Sequence, residues 1–124
     1  MLEVKTYEAP ELLGVLVLFE ISPDYCRDTL TIKAQDAALA MGTVLMKNED
    51  GTYGPWVAAA ESADPAVAGV LLCEVQASES NVAAPVLRRG AVVSASALKW
   101  PADTAEEKKS AALATLEALG VVAR

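Results

Sequence analysis

The sequence contains no histidine. That removes the commonest general base and the commonest metal ligand together. Its two cysteines, Cys26 and Cys73, form neither a C-x-x-C pair nor any zinc-ligand spacing, and no histidine stands ready to activate either thiol. Two cysteines are also too few for a disulfide scaffold, which favours reduced thiols over a bridge. Cys73, inside the apolar run Val70–Cys73, reads as buried and inert, and Cys26, after Tyr25, as the less buried of the two. A serine-nucleophile elbow, a phosphate-cradling glycine loop and a dinucleotide fingerprint are all missing. The carboxylates are scattered: Glu49 and Asp50 mark a turn, while the loop holding Glu61 and Asp64 is too sparse in Asp and Asn for calcium. With no nucleophile, base and orienting group assembled, the chain does not read as an enzyme, and it asks for no cofactor, metal or small-molecule substrate.

Aromatic residues make up only 5% of the chain, against an apolar fraction of 53% that is rich in alanine. Small side chains build thin layers. A single domain of 124 residues buries roughly two-thirds of its unfolded surface, and so modest a core gains stability from partner subunits. Positive charge is also scarce. The net charge is −7 and no run of Lys or Arg exceeds two residues, so a phosphate backbone would be repelled and nucleic acid is not an expected partner. Arg88 and Arg89 read as solvated or ion-paired side chains on opposite faces of a strand. The apolar run Leu12–Phe19 is eight residues long, too short for a bilayer. Met1–Lys5 has no basic region ahead of an apolar one and does not read as a secretory signal.

What is present is a series of short strands and one helix. Residues 3–10 carry no clear period, and β-branching and length favour a strand over 15–19, ended by Ser22-Pro23-Asp24. An apolar strand so near the start needs a partner, in its own sheet or in another chain. Thr29–Ile32 alternates, 33–41 reads as a loop or helical turn, and Gly42–Met46 is the next strand. Asp50-Gly51 suits a tight hairpin, with Thr52-Tyr53 returning and Gly54-Pro55 breaking the pairing before Trp56. A small-residue loop over 58–68 precedes a buried strand, Gly69–Val75. A surface loop over 77–83 leads to a strand over Val86–Val93, with a bulge or close approach at Gly90. In the last segment Asp103 or Thr104 is the expected N-cap, and Glu106 or Glu107 completes a capping box. Ala112, Leu113, Leu116 and Leu119 form the apolar stripe, Glu106 and Lys109 pair, and Gly120 ends the helix before an extended Val121-Val122. The pattern is α+β, mainly β: a small curled, barrel-like sheet with one C-terminal helix. Trp56 and Trp100 fill the edge of the core or anchor an interface, and Pro101, which fixes the chain beside Trp100, makes that residue the better anchor.

The order of these pieces resembles the head decoration proteins of lambda-type tailed phages. "YCRDTLTI" (Tyr25–Ile32) is similar to the family's entry into its first core strand, with Cys26 where Ser is usual. "MGTVLMKNEDGTYGPW" (Met41–Trp56), "AVAGVLLCEVQAS" (Ala66–Ser78) and "VLRRGAVV" (Val86–Val93) resemble its next strands. The ending from Leu98, "LKWPADTAEEKKSAALATLEALGVVAR", resembles its Trp-Pro, helix and Gly-Ile-Val close. Gln35-Asp36 stands where the family commonly has a turn glycine, and Asp is a residue that tolerates a left-handed φ. The resemblance covers residues 25–124 in matching order. It implies a core domain over 25–124 and an extended N-terminal arm over 1–24, poorly ordered when free. It also implies a homotrimer on the outside of the virion's expanded icosahedral capsid, at three-fold sites, assembled in the host cytoplasm. There the trimer stabilises the shell against packaged DNA, and the arm adds a strand to the major capsid protein. The arm residues so implied are Tyr7, Pro10, Leu12, Leu13, Val15, Val17 and Phe19, and Trp100, Pro101 and Trp56 are the candidate trimer anchors. The acidic balance and the strand-prone arm fit that picture on their own terms. The competing reading is a cytosolic small β-barrel that binds a ligand or serves as an adaptor; it would need a concave apolar pocket with converging polar groups.

Overall fold

Alternating and β-branched runs, each cut short by turn residues, fold into small strands arranged in two layers. The computed structural model describes residues 13–59 and 65–124. A helical turn α1 (Leu13–Leu16) leads into β1 (Val17–Glu20), and a second turn α2 (Pro23–Cys26) leads into β2 (Arg27–Ile32). Then come β3 (Val44–Lys47), β4 (Tyr53–Pro55), β5 (Val67–Leu71), β6 (Val82–Leu87) and β7 (Ala91–Val93). A 3-10 turn at Ala95–Ala97, helix α3 (Glu106–Ala118) and β8 (Val121–Ala123) complete the chain.

The strands β2, β4, β3, β5 and β6 close a barrel in that order. Its longest seam is β2 against β6, antiparallel from Arg27↔Leu87 to Ile32↔Val82. Ile32, Leu45, Leu71 and Val86 are each at most 1% exposed and fill the interior, as a barrel this narrow requires. The second layer is a three-stranded sheet, β1-β7-β8, with β7 antiparallel to β1 and parallel to β8. Parallel neighbours need a long crossover, and α3 supplies it. Between sheet, helix and barrel lies the larger core, where Leu16, Trp56, Val70, Leu87, Leu116 and Val121 meet. Full burial of each such aliphatic side chain contributes about 1.5–3 kcal/mol. The architecture is the α+β, mainly β barrel with a C-terminal helix that the pattern of short strands predicts.

Several local expectations change. The strand expected at 15–19 begins as helical turn α1 and becomes extended only at Val17. The turn drives Leu16 wholly into the core. The expected strand Val86–Val93 is two strands in two layers, because Arg88–Gly90 turns the chain out of the barrel. Gly90 has φ +67, and a Cβ there would lie 3.1–3.2 Å from Tyr25, Cys26 and Ile21, so both the turn and the close approach require glycine. Gly54 and Pro55 do not break the hairpin but pair with Met46 and Leu45. Proline is tolerated because β4 meets β2 only at Ile32↔Tyr53, so no neighbour demands its missing N–H. The expected capping box is absent: the N-cap is Ala105, with no side-chain bond. Asp103 takes φ +64, and the Thr104 hydroxyl donates instead to the Pro101 carbonyl at 2.7 Å. Asp103 is also the one positive-φ residue other than glycine among those described, so Asp36 does not use the left-handed region. At the other end Gly120, φ +99, donates its N–H to the Glu117 carbonyl and closes the helix as expected. Leu119, expected in the buried stripe, is 38% exposed, while Ala112 and Leu116 are buried.

Candidate functional site

The described surface carries a group of exposed apolar side chains. They gather on the segment from α1 to α2. Val15 is 54% exposed, Phe19 58% and Ile21 66%, with Leu18 and Tyr25 similarly open. The reason is topological. β1 pairs with β7 on one side only, with a register shift between Val17 and Phe19, so it is the edge strand of its sheet. Of the arm residues expected from sequence, Leu13 and Val17 pack against the core, Val15 and Phe19 face outward, and Tyr7, Pro10 and Leu12 lie outside the described residues. Leu18, Ile21 and Tyr25 join the exposed group without having been singled out. Period-two alternation could have marked Ile21 two residues after Phe19, but the Ser22-Pro23 turn signal hid it.

A clasp of charges holds this segment to the barrel. Arg27, at the start of β2, donates from Nε to Glu20 of β1 at 2.7 Å and from a second nitrogen to the other carboxylate oxygen. Such a two-point bond fixes orientation as well as distance. Asp28 receives Arg89 at 2.7 Å and lies 3.6 Å from Arg88, so the two arginines expected on opposite faces converge on one carboxylate. The Arg89 hydrogen bond, with the charges of Arg89 and Arg88, holds the Asp28 carboxyl below the usual carboxylate range. Arg89 also donates to the Tyr25 carbonyl at 2.6 Å and lies over the Tyr25 ring.

The tryptophans meet each other. Trp56 is 1% exposed, donates from Nε1 to the Pro65 carbonyl at 2.7 Å, and receives Trp100 edge-on at 5.6 Å between ring centres. Trp56 thus faces the core of its own chain. Trp100 and Pro101 are partly exposed and border a shallow apolar groove of about 350 Å³ with Leu39, Pro55 and Val57. The burial expected of the cysteines is reversed. Cys26 is wholly buried, with its thiol 3.4 Å from the Gly90 carbonyl, because α2 turns it inward. Cys73 is partly exposed beyond the end of β5, and both thiols are free. Among the described residues no three His, Cys, Asp or Glu side chains group as metal ligands, and no helix is long and apolar enough to cross a membrane.

No curated protein matches the chain. The family model of the bacteriophage lambda head decoration protein D matches residues 6–121, nearly its whole length. That span takes in both layers, the tryptophan pair and the α1–α2 segment. An edge strand with an apolar rim, set on a closed barrel, suits attachment to another protein's surface. The chain belongs to the bacteriophage lambda head decoration protein D family, structural proteins of the phage capsid.

Proposed function

We propose that the protein acts as a homotrimer bound at three-fold sites on the outer surface of the expanded capsid, stabilising the shell against the pressure of packaged DNA. The observation that carries this reading is the match of the decoration-protein family model to residues 6–121. Residues 1–12, with Tyr7, Pro10 and Leu12, add a strand to the major capsid protein, and the exposed Val15 and Phe19 continue the contact. They enter the described fold at α1, beside edge strand β1, so the arm and the sheet edge address one partner. Three arms on one trimer raise the effective concentration of each, so that modest single contacts suffice. Trp100 and Pro101, at the rim of the apolar groove, are the trimer anchors, and Trp56 supports Trp100 from behind. Assembly takes place in the host cytoplasm. A net charge of −7 keeps such a protein off DNA released nearby.

Co-sedimentation with expanded shells of its own phage tests the reading. Trimers should pellet with shells, and removal of residues 1–12 should abolish pelleting while leaving the thermal unfolding midpoint in place. Wild-type protein that stays in the supernatant would refute it.

A further inference from the structure

Asp50-Gly51 is the one place in the sequence where Asp or Asn precedes glycine. An aspartyl-glycyl link can react with itself. The Gly51 backbone nitrogen attacks the Asp50 side-chain carboxyl carbon, a C–N bond forms, and the carboxyl hydroxyl leaves as water with the amide proton. Water then opens the five-membered imide at either carbonyl. One opening restores aspartate. The other routes the main chain through the side chain and leaves isoaspartate, with an extra methylene in the backbone. Nothing but solvent water takes part. Glycine favours the attack because no side chain shields its nitrogen. A Cβ on Gly51 would meet nothing within 4 Å, so the turn lies open to that water, and its φ of +87 keeps glycine in place.

In the folded chain both reacting groups are engaged. The Gly51 N–H donates to the Asn48 carbonyl at 3.0 Å and closes the turn. Asp50 Oδ1 accepts from the Thr52 N–H at 3.0 Å and from the Thr52 hydroxyl at 2.6 Å. The Asn48 side-chain amide donates to that hydroxyl at 3.1 Å, which leaves the hydroxyl proton for Asp50. Lys33, just past β2, lies 3.5 Å from the other carboxylate oxygen. The Thr52 hydroxyl and N–H, with the Lys33 charge, hold the Asp50 carboxyl below the usual carboxylate range. An ionised carboxylate is a poor electrophile, so the contacts that shape the turn also keep the link from reacting. The turn stands beside the shortest seam of the barrel. There β4 meets β2 at Ile32↔Tyr53, and the Lys33 N–H donates to the Tyr53 carbonyl at 3.0 Å. An extra methylene at Asp50 would displace Tyr53 from both.

We propose that Asp50-Gly51 is a latent self-modification site, held in the aspartyl form by Thr52 and Lys33, and that its conversion to isoaspartate loosens the β2–β4 seam of the barrel. This does not depend on the decoration reading. The test ages the purified full chain in warm buffer near neutral pH and measures isoaspartate by peptide mapping with mass spectrometry and by enzymatic carboxyl methylation. Thr52→Val keeps the main-chain bond and removes the hydroxyl. It should form isoaspartate at Asp50 several-fold faster than the wild type. Lys33→Gln should raise the rate by less, because so exposed a pair contributes little. In urea the three proteins should react at one common rate, faster than that of the folded wild type. The fraction carrying isoaspartate should melt at a lower temperature than the unaged protein. Equal rates for folded Thr52→Val and folded wild type would overturn the guarding role of Thr52. A folded wild type that reacts as fast as it does in urea would overturn it as well, whether or not Thr52→Val folds. So would a parallel rise at Asp36-Ala37 in Thr52→Val, by tracing the effect to general unfolding. An isoaspartate form with an unchanged melting temperature would overturn the link to the seam.

Discussion

Trp56 shows how much one side chain carries when aromatics are scarce. It fills the junction of barrel and helix, is 1% exposed, and donates from its indole nitrogen to the Pro65 carbonyl. Trp56→Ala should cost about 3–5 kcal/mol in denaturant unfolding, as large aromatic deletions in cores do. Trp100→Ala should cost clearly less, because its ring is only partly buried. Equal losses would contradict the division of roles between the two. Asp28 makes a different kind of contribution. Its carboxyl is held below the ordinary value by Arg89, so its stabilising effect is complete above the unfolded value of about 4 and is lost as pH falls through the lower folded value. Asp28→Asn should therefore be less stable at neutral pH and show a flatter loss of urea midpoint below about pH 4. An acid limb as steep as the wild type's would refute the clasp. Cys73 responds in the opposite direction: burial pushes its thiol up, so it should alkylate slowly at neutral pH. The need for burial or pairing at these positions was legible in residue types. Which cysteine is buried was not, since the turn of α2 decides it.

Among the elements, α3 was the easiest to read and was misread at one end. Its apolar spacing and Gly120 are local signals; Ala112, Leu116 and the glycine stop held, while Leu119 stands exposed. The cap did not, because Pro101 starts a turn that takes the Thr104 hydroxyl and sets Asp103 at positive φ. The helix N-terminus is left at Ala105 with no side chain to satisfy its amides. Ala105→Asp should raise stability by about 1 kcal/mol, through a cap bond and the helix dipole, visible as a higher melting temperature. No gain would mean that the turn at Pro101 already occupies those amides. The strand over Val86–Val93 failed for the opposite reason. Its valines favour extended structure, but Gly90 sits against Tyr25, Cys26 and Ile21, and those contacts are long-range. Propensity marks that a strand exists; the neighbours decide to which sheet it belongs.

For the whole molecule, the edge position of β1 governs how the two ends of the α1–β1 region should respond to truncation. Leu16 is wholly buried and accepts the Ser94 N–H at 2.8 Å, while Val17–Glu20 pairs with β7. Removing residues 1–20 should therefore lower the unfolding midpoint by several degrees, whereas removing 1–12 should leave it nearly unchanged. Equal midpoints for the two truncations would mean that β1 adds nothing to the core. The sequence by itself determined the absence of histidine, the acidic balance, the mainly β class and the family resemblance, because these depend on residue types and their order. Only the tertiary structure decided that the barrel closes and that Arg88 and Arg89 meet on Asp28. It also decided that Phe19, Val92 and Val122 stand in one row across the β1-β7-β8 sheet. The reason is physical: Phe19 and Val92 are 73 residues apart in sequence, and strand register and sheet order, set by the packing of the core, bring such neighbours together.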